Sequence, residues 1–200
     1  MNNLVYLVLS VLVFSSDVVA DDAVYESVCA SCHGSDASGN TALGAPALAG
    51  QLSQYTSRQL QHYAEGLRQG DAYAAQMNAV VQQLDSSQMA SLGQYLGMLD
   101  ASEVNTTSRG STKQGNTLYQ SYCGSCHGVD GRGNAMLNAP NLRILDAAYL
   151  KRQYRLFVEG KRGVDKADKF GRQMSFMAKA MPEAEQIDAV VAYLHSLGAD

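Results

Sequence analysis

The sequence predicts an all-α protein built from two tandem helical domains of similar design. Three observations carry that prediction. "VCASCHGSD" returns as "YCGSCHGVD" ninety-four residues later, and aligning Cys29 with Cys123 needs no gap for more than forty residues. Apolar residues recur at three- and four-residue spacing in both halves, without the alternation of a half-buried strand. Between the halves lies "ASEVNTTSRGSTKQG", rich in Ser and Thr and poor in apolar residues, which reads as a linker.

A repeat of this length marks a duplicated structural unit. Tyr25 falls on Tyr119, Gly39-Asn40 on Gly133-Asn134, Ala45-Pro46 on Ala139-Pro140, and Tyr55 on Tyr149. Further on, Arg58-Gln59 falls on Arg152-Gln153, Glu65-Gly66 on Glu159-Gly160 and Arg68 on Arg162. Each unit is too long for a solenoid repeat, so the expected organisation is a signal peptide over 1–20, domains over 21–100 and 114–200, and a linker over 101–113. With 46% hydrophobic residues, the 200-residue chain can pack two small cores.

The N-terminus comes first. Leu4 to Phe14 is nearly all apolar, and Val18-Val19-Ala20 precedes Asp21-Asp22, the layout of a secretory signal cleaved after Ala20. The rival is a retained anchor, for which this eleven-residue, nearly apolar stretch falls short of the roughly 20 residues a spanning helix needs. Each half then reads as a helix leading into CxxCH, followed by a Gly/Asn-rich loop over Gly34 to Gly50 or Gly128 to Asn141. A middle helix follows, with Leu52, Tyr55, Leu60, Tyr63 and Leu67 in the first copy and Leu150, Tyr154, Phe157 and Val158 in the second. Terminal helices carry Met89, Leu92, Leu96 and Leu99, then Ile187, Val190, Val191, Leu194 and Leu197. Pro182, Glu183 and Glu185 make a helix start for the last one. Three short helices bury little area, so such a unit needs a staple.

The CxxCH stretches supply it. All four cysteines sit there, and in an exported chain free thiols would be oxidised or covalently occupied. Two sulfurs one helical turn apart can clamp the vinyl arms of a haem, with the adjoining His aimed at the iron. A thioredoxin-like pair does not require the His and expects a βαβ setting. A zinc site would draw on both pairs, whereas the repeat argues for independent units; disulfides across two residues are unusual. The reading is therefore two covalently bound haem c groups, attached through Cys29, Cys32, Cys123 and Cys126, with His33 and His127 as iron ligands. A methionine sulfur would complete each iron and raise its potential. Met77 is the one methionine between loop and terminal helix in the first half, and "RQMSFMAKAM" places Met174 opposite it, with Met177 and Met181 as rivals. Met89 and Met98 are expected in core or at the surface, and His62 and His195 at the surface. Pro46 and Pro140 fix the loop after the motif, where a backbone carbonyl could accept from Nδ1 of His33 and His127; the alternative is a simple rigid turn. Arg68 and Arg162 either neutralise haem propionates or mark solvated helix ends.

With "CxxCHGxDxxGN", "APxL", "YxxRQxxxxxEGxR" and "QM" in both halves, the chain resembles class I cytochromes c and, more closely, the periplasmic di-haem cytochrome c4 family. The resemblance covers essentially everything after the signal segment. It implies two class I cytochrome c-like domains, each around one covalent haem, with His33 and Met77 on one iron and His127 and Met174 on the other. Three departures leave those positions in place and bear on loop geometry and relative potentials. "VDGRGN" becomes "SDASGN" in the first copy, three extra residues precede the second methionine, and "APALAGQ" becomes "APNLRIL".

Charge divides the halves: residues 21–100 carry net −6 and residues 114–200 net +2. Lys151, Arg152, Arg155, Lys161, Arg162, Lys166, Lys169 and Arg172 are concentrated before Met174, either steering a partner or forming a solvated face. The basic residues lack a nucleic-acid module. The resemblance implies a periplasmic electron carrier, not an enzyme, working between a quinol:cytochrome c oxidoreductase and a terminal oxidase or dehydrogenase. Membrane association would come through such partners. The alternatives are a tightly bound haem subunit of an oxidoreductase complex, or a di-haem peroxidase needing one open iron.

Overall fold

The structure, a computed structural model, describes residues 18–104, 110–181 and 186–199. Most of the expected signal segment lies outside these residues, as do Pro182, Glu183 and Glu185; the expected cleavage after Ala20 falls in the first turn of the first helix. Among the described residues there are ten α-helices and no named strand, as an all-α reading requires. No helix is long and apolar enough to cross a membrane.

The first half holds α1 (Val18–Val28), the single turn α2 (Ala30–His33), α3 (Ser53–Ala64), α4 (Ala72–Val81) and α5 (Ser86–Met98). The second repeats the series as α6 (Thr112–Tyr122), α7 (Gly124–His127), α8 (Ala147–Val158), α9 (Lys169–Ala180) and α10 (Ile187–Ser196). Short polar residues cap five of the described helices, α4, α5, α6, α8 and α9, by accepting backbone N–H bonds, which fixes where those begin. Asp71 accepts from Ala74 N at 2.8 Å, Asp146 from Tyr149 N at 2.9 Å and Asp168 from Gly171 N at 2.7 Å. Asp85 and Gln88 close a reciprocal capping box on α5.

In each half the terminal helix is the core element. Helices α1 and α3 pack on α5, burying Met89, Leu92 and Leu96 with Tyr25 and Leu84. Helices α6 and α8 pack on α10, burying Val190, Val191 and Leu194 with Tyr119, Ile144 and Phe157. The α6–α10 crossing is so close that a Cβ at Gly115 would collide with the Ala189 carbonyl. Full burial of such side chains stabilises by about 1.5–3 kcal/mol each.

Three elements differ from the sequence expectation. The methionine-bearing stretches, not assigned an element from periodicity, are the helices α4 and α9. The middle helix α3 buries Thr56, Gln59, His62 and Tyr63, while Leu60 and Tyr55 are only half-buried. Of these, Gln59 and His62 meet Arg162 and Asp168 of the other domain, while Tyr63 packs within its own. The chain between the domains is anchored at its start, where Val104 N donates to Arg143 O at 2.8 Å and Glu103 pairs with Arg132 (3.0 Å) and Arg143.

Candidate functional site

Both CxxCH stretches fold alike. Cys29 and Cys123 leave ideal helical geometry (φ −112° and −121°), and one further turn ends on His33 or His127. Gly34 and Gly128 then turn the chain, braced by the wholly buried Tyr25 and Tyr119, whose hydroxyls donate to Gly34 O at 2.5 Å and Gly128 O at 2.7 Å. Gly39 N and Gly133 N each donate back to the motif histidine carbonyl at 2.8 Å. At these two glycines φ is +88°, and a Cβ would stand 2.5 Å from Ala47 N or 2.7 Å from Ala139 O. Only glycine fits.

That path carries Pro46 O to 2.8 Å from Nδ1 of His33 and Pro140 O to 3.1 Å from Nδ1 of His127, the bond expected from sequence. A carbonyl only accepts, so Nδ1 is the donor and Nε2 keeps its lone pair for a Lewis acid. Burial pulls both histidines below the usual imidazole range, against an upward pull from the proline carbonyls. Each ring is thus neutral, oriented and of one tautomer. The first loop lacks a glycine where Ala37 replaces Gly131, yet Ala37 adopts φ +57° beside +81°. Both carbonyls accept the equivalent N–H, from Leu48 and Leu142, at 2.8 Å. The loop geometry survives the substitution.

The rival readings of the cysteines fare poorly. Burial, with the neighbouring Cys32 or Cys126, pushes Cys29 up to about 11 and Cys123 up to about 12. A redox-active pair needs a lowered pKa. Among the described residues no three His, Cys, Asp or Glu side chains gather into a metal-sized cluster, so the motifs do not converge on a zinc site.

In the second half the motif opens on a cavity of about 980 Å³, lined by Cys123, Cys126, His127, Met174 and Leu194. That is at the upper end of the 300–1,000 Å³ of ligand sites. Met174 packs on the second core and reaches the cavity; Met177, one turn on, also lines it, and Met181 is buried in the core at its edge. In the first half Met77, on α4, packs against Tyr63, Ala74 and Val81. Met89 is buried in the core and Met98 is exposed, as expected.

Three expectations are corrected. His62 and His195 are not surface residues. His62 is buried with Nδ1 3.7 Å from Asp168, and His195 Nε2 lies 3.0 Å from Leu145 O. Arg68 and Arg162 are not solvated helix ends either; both are buried at the contact between domains. Arg68 donates to Gln59 (2.9 Å), Tyr149 (2.8 Å) and Gln153 (3.2 Å). Arg162 donates to Gln153 (2.6 Å), Gln59 (2.9 Å) and Tyr55 (3.4 Å), the same partners with the halves exchanged. Arg58 reaches Asn138 O at 3.1 Å, and Arg152 reaches Gly44 O at 2.8 Å, again in register. Lastly, Arg152 and Arg162 are thereby withdrawn from the exposed basic segment.

Comparison with known proteins fits this architecture. The cytochrome c family model matches residues 22–100 and again 112–198. A thiosulfate dehydrogenase electron acceptor of Stutzerimonas stutzeri (strain A1501) is 28% identical over 180 residues, covering 85% of this chain and 79% of that one. A cbb3-type cytochrome c oxidase subunit FixP of Sinorhizobium medicae (strain WSM419) is 27% identical over 90% of this chain, which spans 61% of that protein. The crystal structure of reduced recombinant cytochrome c4 from Pseudomonas stutzeri superposes with a TM-score of 0.73 at 26% identity, covering 90% of this chain and 98% of that one. Two family matches in one chain, on two copies of one helical unit, make it a member of the cytochrome c family in the two-domain, cytochrome c4-like form.

Proposed function

We propose that the chain is a periplasmic electron carrier holding two haem c groups, one per domain. In this reading Cys29 with Cys32 and Cys123 with Cys126 form the thioethers, His33 and His127 ligate the irons, and Met77 and Met174 complete them. The observation that carries it is the duplicated proline-carbonyl bond, which leaves Nε2 of both histidines unprotonated beside a cysteine pair. The bound haem would take up and release one electron at a time. The chain's own work is to hold each imidazole in one tautomer, to offer a soft thioether from α4 or α9, and to wall the second site with apolar side chains. Such ligation and burial favour the reduced iron and exclude an open coordination position. This disfavours a peroxidase.

Donor and acceptor would be respiratory: a quinol-oxidising complex on one side and a terminal oxidase or similar acceptor on the other. A second reading, a haem subunit held permanently by an oxidoreductase, is favoured by relatives named as an oxidase subunit and a dehydrogenase electron acceptor. Intact mass of the denatured protein should exceed the polypeptide by two haems; one or none refutes the reading. The oxidised protein should show the near-infrared Fe–S(Met) band, halved by Met77→Ala and by Met174→Ala. If Met177→Ala halves it instead of Met174→Ala, the ligand lies one helical turn on. Copurification from native membranes separates subunit from shuttle.

A further inference from the structure

We propose that Arg58, a side chain of the first domain, is the group that binds a propionate carboxylate of the second domain's haem. The inference rests on the two-haem reading above and adds a residue that reaches the site from the other domain. Arg58 lines the second-domain cavity although it belongs to α3. Its Nη2 donates to Asn138 O, and its guanidinium lies 4.6 Å from the Phe170 ring centroid and 5.4 Å from that of Tyr55. Nε and Nη1, by contrast, are buried with no hydrogen-bond partner. A cation with two buried, unsatisfied donors is costly unless an anion meets it.

The repeat shows what is missing. Arg152, the counterpart, makes the matching bond to Gly44 O and stacks 4.1 Å from the centroid of Tyr73, the residue equivalent to Phe170. The protein also places a carboxylate, Asp71, 3.5 Å from its Nε, near enough for an ion pair though not in hydrogen-bond geometry. Asp168 caps α9 as Asp71 caps α4, but it faces His62 and makes no ion pair with Arg58 within 4 Å. His62 has Leu156 as its repeat counterpart, so one histidine draws the domain's own carboxylate away.

The surroundings are positive. Arg58, Arg68 and Arg162 crowd Tyr55, and Asp168 is the acid among the groups that act on Arg58. Burial, together with Arg162, holds Arg58 below its ordinary value despite Tyr55 and Asp168. Burial would raise Tyr55, yet Arg162 and Arg68 outweigh it and hold the phenol down. A haem carries two propionates, so a haem seated in this cavity brings the carboxylate that Arg58 lacks, with carboxylate geometry suited to a guanidinium.

The test is a spectroscopic redox titration of the full holoprotein. A compensated propionate and a nearby guanidinium both favour the reduced, less positive iron. Arg58→Gln should therefore lower one of the two midpoints, shifting its reduced-to-oxidised ratio by at least about tenfold, about 59 mV for one electron. The other midpoint should stay in place. Arg58→Lys, with a point charge and a different donor geometry, should lower the same wave by a smaller amount. If the glutamine variant does not accumulate, the lysine variant decides alone by the same one-wave shift. Two unmoved midpoints, or two that move equally, overturn the proposal. Haem mass and the near-infrared band, measured on the same samples, show whether it was this inference that failed or the two-haem reading beneath it.

Discussion

Removing Arg68 and Arg162 together should cost more than the sum of removing each. Arg68 makes three hydrogen bonds, but two end on Gln59 and Gln153 oxygens that Arg162 also holds. Arg68→Ala therefore orphans only Tyr149, to which it donates at 2.8 Å. A hydrogen bond from a charged donor contributes about 1.5–3 kcal/mol, so this variant should lose about 2 kcal/mol. Arg162→Ala should lose about 1 kcal/mol, because its exclusive bond, to Tyr55, is the long one at 3.4 Å. The double variant leaves both glutamine oxygens without these donors, at about 1–3 kcal/mol for each buried unsatisfied group. The expected total is about 5 kcal/mol, with a coupling of about 2 kcal/mol within the range for residues of one network. Urea denaturation of the four proteins at one pH, with calorimetry to check for a separate domain transition, supplies the cycle. A double-variant loss equal to the sum of the singles would refute the shared-acceptor account.

Other outcomes follow from features of single residues. Gly131→Ala should destabilise by about 2–4 kcal/mol, because φ is +81° there and a Cβ would stand 2.7 Å from Leu194 Cδ2, as denaturant unfolding will show. Ala37→Gly should be within about 1 kcal/mol of neutral, since relief of its φ of +57° offsets one buried methyl lost. Reversing Lys166, Lys169 and Arg172 to Glu should slow electron transfer with an acidic partner by about tenfold at low ionic strength. The effect should fade near 0.15 M salt, measured by stopped flow, with the spectra unchanged. His195, buried in the last turn of α10, is held below its ordinary pKa by burial despite Leu145 O and Asp146. The unfolded chain then binds the extra proton, so this contribution to stability is full above about pH 7 and falls as pH drops through about 6.5. The slope of melting temperature between pH 5 and 8 should be shallower in His195→Gln than in the parent protein.

The legible parts of the sequence were those whose meaning is local. CxxCH, the proline thirteen residues after its histidine, and the 3.6-residue stripes of α5 and α10 each act within their own segment or against a predictable core. Helix α4 escaped because "AYAAQMNAVV" carries few large apolar residues, and its buried positions are Ala74 and Val81. The burial of Gln59, His62 and Arg68 was illegible for a different reason. Polar residues on a helix read as solvated, and only the facing copy, with Tyr149, Gln153 and Asp168, reveals that they are paired. The burial of His195 is illegible for a similar reason, since it meets a backbone carbonyl fifty residues away.

The exchange of partners between halves, Arg68 with Tyr149 and Arg162 with Tyr55, is the pattern of an isologous contact. A two-fold dimer of a single half would make every such bond twice from one set of residues. In that dimer any substitution is felt on both sides at once, so the two sites must remain alike. Joining the halves in one chain lifts this constraint. His62 can stand opposite Leu156, and Ala37 opposite Gly131, without a matching change across the axis. Fusion turns a symmetric contact into one whose two ends can be tuned separately, as the proposed carrier between a donor and a different acceptor would need.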